Sequence, residues 1–262
     1  MVDPELFAEY REAMQAVARL AHDETVALVA DIDPYGDPSV NALRLLVRYP
    51  EIVAKYGTVA VTAAREYYER SRALAVEAGE VDDDGYEPVD APTVRREWAE
   101  EDVRKAADRG VDTLAGEAVR RVMQRGDQTL AMNAMRDPAH PMWAIIPHPG
   151  ACGWCLMVAS NGWSYSSERA ANAQRHTNCL CSVAVDFSHD NPSLAGYDPD
   201  AYYGVYRDAI DALGGDDTIR GMWNDLAPEE RASYKRTGRG AYDTYKTKVI
   251  TAKMDEMTGH RY

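Results

Sequence analysis

All four cysteines of the 262-residue chain lie in one thirty-residue window. The window opens with Cys152-Gly153-Trp154-Cys155 and closes, after a twenty-residue interval, with His176-Thr177-Asn178-Cys179-Leu180-Cys181. A Cys-x-x-Cys pair lets two thiolates close on one ion, with Gly153 easing the turn between them. His176-x-x-Cys179 has the same chelating separation, and Cys181 is a fifth donor. Tetrahedral zinc takes four such ligands, with sulfur at about 2.3 Å and imidazole nitrogen at about 2.0–2.1 Å. The pattern predicts Zn2+ held by Cys152, Cys155 and His176, with Cys179 or Cys181 as the fourth ligand. Four protein ligands leave no open coordination position, so such a zinc is structural and no catalytic residue is assigned.

Three other chemistries use these residue types. A thioredoxin-like redox pair at Cys152 and Cys155 needs a βαβ frame, whereas the flanks here read as a loop and a Gly-turn hairpin. A cysteine protease would use Cys152 or Cys155 as nucleophile and His176 as base, but the histidine follows too soon for the papain pattern. A disulfide between the pairs belongs to an oxidising setting. Zinc accounts for the spacing most fully.

Composition bounds the rest. Hydrophobic residues make up 45% and charged residues 27%, ordinary for a globular protein. The net charge of −14 argues against the whole chain gripping nucleic acid, which needs a cationic surface. No apolar run approaches the roughly 20 residues that span a bilayer, and Met1-Val2-Asp3-Pro4-Glu5 lacks a secretory pattern. No membrane contact and a reducing cytoplasm are the expectation. Sixteen tyrosines stand against two phenylalanines, which predicts half-buried, amphipathic helix faces.

The elements that must position the knot are mostly helices. Asp3-Pro4 starts one that carries Leu6, Tyr10, Met14, Val17, Ala21 and Leu28 to about residue 30. Asp33 to Pro38 breaks it, a shorter helix follows, and Pro50 restarts the chain into a helix ending near Gly79. That helix reads with Ile52, Tyr56, Val59, Ala63, Tyr67, Ser71 and Leu74 inside, and Arg65, Glu69, Arg70 and Arg72 outside. Residues 80–90 read as a mobile acidic loop without the ligand order of a calcium site. Helical pattern returns from Thr93 to about Met135, with a pause at Arg109-Gly110. Arg125-Gly126-Asp127 interrupts it and is assigned no function. Met142–Ile146 and Ser182–Val185 read as short strands.

Beyond Asp198-Pro199 the pattern is helical again, with breaks at Gly214-Gly215 and Ala227-Pro228. From Arg231 to Tyr262, eight Lys/Arg stand against Asp243, Asp255 and Glu256. Such a basic segment either pairs with the acidic body or makes a weak DNA contact. The fold class expected is mainly α, with a small α+β Cys/His module like a zinc knot. Long N-terminal helices occupy 1–136, short strands surround the knot in 137–190, and C-terminal helices with a basic tail fill 191–262.

The run Pro149-Gly150-Ala151-Cys152 to Asn161-Gly162, then Tyr165, then His176 to Cys181, closely resembles the MuF-like phage head morphogenesis domain, nearest its actinobacteriophage variants. The specific likeness covers about residues 125–187. Tyr56-Gly57, Glu66-Tyr67-Tyr68 with Arg70, and Asp198 to Arg207 extend it weakly. Two departures stand out: Arg125-Gly126-Asp127-Gln128-Thr129 carries Gly126 and Gln128 as extras over the family's Arg-Asp-Thr, and Val158 replaces a leucine. The resemblance implies a minor capsid protein packaged in the virion, inside the capsid near the portal after assembly in the host cytoplasm. Its implied partners are the portal protein and the scaffold or major capsid protein. The alternative function is a capsid-maturation protease or thiol-dependent enzyme built on the Cys/His cluster. Some members of that family are fused to toxin or protease domains, and no second Ser/His/Asp grouping or phosphate-binding glycine loop here points to one.

Overall fold

The computed structural model describes residues 2–33, 35–92, 94–164, 176–235 and 239–260. Among them the chain is mainly helical, with one two-stranded sheet and a Cys/His cluster near residues 152–181, as the sequence predicts. Thr93, Tyr165, Arg236 and Arg261, used in the sequence reading, lie outside the described residues. The chain forms two compact units, Met1–Ala144 with Trp163–Ala195, and Ile145–Gly162 with Gly196–Tyr262.

The first unit is built on α1 (Pro4–Ala30), α2 (Pro38–Glu77), α3 (Arg96–Arg109) and α4 (Thr113–Arg136). Strands β1 (Met142–Ile146) and β2 (Ser182–Asp186) pair into the sheet. The α1 start is as expected: Pro4 occupies the first turn and the Asp3 side chain accepts from the Leu6 N–H at 2.7 Å. Helices α1, α2 and α4 pack on one another.

Helix α2 corrects the expected break. It runs 40 residues straight through Pro50, which is buried inside it. Proline removes the N–H that would bond the carbonyl four residues back. That carbonyl, on Leu46, instead accepts from Arg96 Nη2 at 3.3 Å, so the lost bond is replaced by a side chain from α3. The buried face is also rotated from the one expected. Ile52 and Tyr67 are buried as expected, but Val53, Gly57, Ala60, Val61, Ala64, Tyr68 and Arg72 also face inward, while Val59 and Leu74 are exposed.

Arg72 is the clearest reversal, because a buried partner decides its side. Its Nε donates to Asp137 Oδ2 at 2.9 Å and its Nη2 to Asp84 Oδ1 at 2.6 Å, with Asp137 fully buried. The Tyr68 hydroxyl donates to the same Asp137 oxygen at 2.9 Å. The acidic loop is thereby pinned rather than loose. Asn133 fastens it further, accepting from the Val89 N–H at 2.7 Å and donating to the Val89 carbonyl at 2.8 Å.

Tyr56, Tyr86, Tyr202, Tyr206, Tyr234 and Tyr242 are half-buried as expected, but other tyrosines lie deeper. Tyr10, Tyr49, Tyr67 and Tyr68 lie in the core, and Tyr10 stacks on Tyr67 with ring centroids 4.5 Å apart. With two phenylalanines in the chain, tyrosine joins Trp143 and Trp163 in supplying the core's aromatic bulk. Burial pushes the Tyr67 and Tyr68 hydroxyls well above their ordinary pKa and keeps them neutral. The Arg125-Gly126-Asp127 run does not interrupt α4, which continues through it. Arg125 is buried against the Trp98 ring, 5.3 Å from its centroid. Burial, with repulsion from Arg121, holds the Arg125 pKa down to about 10.

The second unit holds α5 (Gly153–Ala159), α6 (Pro199–Ala212), α7 (Gly215–Asp225), α8 (Pro228–Ser233) and α9 (Ala241–Thr258). Asp198 caps α6 by accepting from the Ala201 N–H at 2.9 Å. Helices α5, α6 and α9 pack together, and Ala209, Ile219, Tyr245, Ile250 and Met254 form the unit's core.

Candidate metal centre

The Cys152-x-x-Cys155 pair sits on a helix, not on the loop and hairpin expected. Cys152 is the N-cap of α5 and Cys155 lies in its first turn. Positions three apart on a helix share a face, and this sets the chelating separation. Cys155, Val158 and Ala159 are buried at helical spacing, a signal that the expectation of a Gly-turn hairpin obscured.

Gly153 does a different job from the one expected. A Cβ at this position would run into the Thr251 carbonyl and the Met254 Cβ of α9, so glycine lets α5 lie against that helix. Its N–H donates to Asp255 Oδ1 at 2.6 Å. A helix N-terminus leaves its first N–H groups unpaired and favours negative charge, and Asp255 meets both needs.

The second ligand segment is a tight turn. The Cys179 N–H donates to the His176 carbonyl at 3.3 Å, which folds His176-x-x-Cys179 into chelating form. Asn178 turns the chain with φ of 61°, and its N–H donates to the Gly116 carbonyl of α4 at 3.2 Å. A Cβ on Gly116 would collide with Thr177 Cγ2 and the Asn178 side chain, so this close approach needs glycine. Thr177 Oγ1 donates to Glu117 Oε1 at 2.9 Å. His176 Nδ1 lies 2.8 Å from the Thr177 carbonyl. A carbonyl only accepts, so Nδ1 carries the proton and Nε2 is the electron-pair donor.

These residues come together. Ligand atoms of Cys152, Cys155 and His176 lie within 4.8 Å of one another, as do those of Cys155, Cys179 and Cys181. Bonds of about 2.3 Å to a tetrahedral ion set sulfur atoms about 3.8 Å apart, so both groups are close enough to hold a metal. All four cysteines are 1% exposed and none forms a disulfide. Cys155 belongs to both groups, and Cys179 and Cys181 enter the second together. A set of thiols with one imidazole is the donor chemistry of zinc and other borderline or soft ions.

Behind the second segment stands a network of α3 and α4 side chains. Glu117 Oε2 pairs with Arg120 Nε, and Arg120 Nη2 reaches Asp102 Oδ1 at 3.1 Å. Asp102, 2% exposed, also takes Arg121 Nε at 2.7 Å. Burial works against the Arg121 charge, but the hydrogen bond and the negative charge of Asp102 outweigh it and raise its pKa. His176 and Thr177, with Glu117, Arg120 and Gln124, line a cleft of about 540 Å³. Sequence reasoning missed Gly116, Glu117 and Asp255. Glu117 is 60 residues from Thr177 and Asp255 is 102 from Gly153, so spacing carries no trace of either pairing.

Fold and site together define a mainly helical protein with a buried Cys/His cluster able to hold a metal ion, in which no described helix is long and apolar enough to cross a membrane. The chain belongs to the VG15 protein family, whose family model matches residues 1–209. This is a phage virion-gene family, consistent with a structural or morphogenesis role in the virion. Comparison with curated proteins and with solved structures found no match.

Proposed function

We propose that this chain is a MuF-like minor head protein that acts in head morphogenesis by binding other virion proteins, and that it is not an enzyme. It stands inside the procapsid near the portal, is packaged with the head, and contacts the portal protein and the scaffold or major capsid protein. Zinc fastens its Cys/His cluster. Cys152, Cys155 and His176 hold the ion with Cys179 or Cys181, and when bound it supplies a cross-link whose binding energy is folding energy. The observation that carries this reading is a pair of overlapping groups within ligand reach, Cys152, Cys155 and His176 in one and Cys155, Cys179 and Cys181 in the other, with all four thiols buried. The phage family and the motif resemblance support the assembly role.

The basic C-terminal segment pairs within the chain rather than reaching for DNA. Lys246 pairs with Asp216 at 2.6 Å, Lys253 with Glu256 at 2.9 Å, and Lys248 lies over the Tyr234 ring. Cations already engaged give up those contacts to reach phosphate.

Metal analysis of the purified protein tests the fastener. About one equivalent of zinc is expected, with Cys155→Ser losing metal and thermal stability. Metal-free protein with fully titratable thiols overturns the reading. Procapsids assembled with and without portal test the location, and equal incorporation in both removes the portal as partner. Cleavage of scaffold or capsid protein that Cys152→Ala abolishes and a chelator leaves intact would replace assembly with proteolysis.

A further inference from the structure

His176 differs from the other ligand candidates in exposure. The cysteines are each 1% exposed, whereas His176 is half-buried and lines the 540 Å³ cleft. Its ring orientation rests on the Thr177 carbonyl, which accepts from Nδ1 at 2.8 Å. Thr177 is held in turn by its hydroxyl on Glu117 Oε1 at 2.9 Å, next to the Asn178 N–H on the Gly116 carbonyl. Glu117 is itself fixed, because its other oxygen pairs with Arg120, and Arg120 reaches the buried Asp102. The imidazole orientation therefore traces, contact by contact, to a carboxylate on α4.

We propose that Glu117, acting through Thr177, is the positioning residue of His176, and that this strut sets how tightly the metal is held on its cleft side. The inference rests on the zinc reading above. Partners that orient a ligating histidine typically change metal affinity by roughly 10–100-fold when removed. The strut lies within the first unit and depends on no sulfur ligand.

Zinc affinity by chelator competition, with the release rate, tests it on the full chain. Thr177→Val removes the hydroxyl and keeps the shape. Its affinity is expected to fall by roughly 10–100-fold, and release to quicken. Glu117→Met, which removes the acceptor, should do the same, and the double variant should lose no more than either single one. Thr177→Ser and Glu117→Gln keep a donor and an acceptor and should stay near wild type. Cobalt substituted for zinc should show an altered ligand-field spectrum in Thr177→Val, while amide exchange along α4 stays unchanged. A Thr177→Val protein within about twofold of wild-type affinity overturns the strut and leaves the zinc reading standing. A wild-type protein that holds no metal overturns both.

Discussion

The two ligand segments reach the same chelating separation by different physics. Cys152 and Cys155 ride on α5, so their spacing comes from helix backbone, and the helix is seated on α9 by Gly153 and Asp255. His176 to Cys181 has no regular structure until β2 begins at Ser182, and its spacing comes from one turn held to α4 by Gly116 and Glu117. Each seat uses one glycine for close approach and one carboxylate as acceptor. The helical pair is rigid in its own backbone. The turn pair depends on its neighbours for shape, so side-chain changes there should act on metal affinity more than on folding.

Substitutions at five positions break or sharpen this contrast. The largest effect is expected from Arg72→Met, which strips the buried Asp137 of its cation in the unit that carries the turn pair. Removing one partner of a buried pair costs about 3–5 kcal/mol. Denaturation followed by amide exchange in α2 should show that loss, while amides of α9 keep their protection.

Gly153→Ala comes next. The obstacle to a Cβ there is a backbone carbonyl that cannot rotate away, so the cost should reach the upper end of overpacking, about 3 kcal/mol. Gly116→Ala meets Thr177 Cγ2 and the Asn178 side chain rather than backbone, and a smaller cost, about 2 kcal/mol, is expected from the same comparison of melting curves. Equal costs would erase the distinction between the seats.

Asp255→Ala leaves the buried Gly153 N–H without this acceptor, at about 2 kcal/mol. Asp255→Asn keeps an acceptor and should recover part of that loss in a urea titration. The smallest effect lies outside both seats. Hydrogen bonds from Lys55 and Tyr56 hold the Glu24 carboxyl below its ordinary 4.5. A depressed folded-state value contributes stability that is complete above 4.5 and is lost as pH falls through the folded value. Glu24→Gln should therefore cost about 0.5 kcal/mol or less at neutral pH and nothing in strong acid.

Much of this architecture was legible from local pattern. The Asp-Pro starts at Asp3-Pro4 and Asp198-Pro199, the pause at Gly110, both strands and the donor residues all follow from neighbours within a few positions. The failures share one cause. Pro50 reads as a break until Arg96 donates to Leu46, and Arg72 reads as exposed until Asp137 arrives beside it. Tyrosine reads as a half-wet residue until packing closes over rings such as Tyr49 and Tyr68. In each case a distant residue reversed a sound local preference.

The Cys/His window shows the division most plainly. Residue types and their spacing were enough to nominate Cys152, Cys155, His176, Cys179 and Cys181, because chelation is short-range and the motif carries it. That Cys152 and Cys155 start a helix depends on α9 offering Asp255 to an unpaired N–H. That the His176 ring is held by the Thr177 carbonyl depends on a turn docked at Gly116 and braced by Glu117. Ligand identity is a local property of the chain. Ligand orientation belongs to contacts 60 and 102 residues away, which exist once the helices have packed.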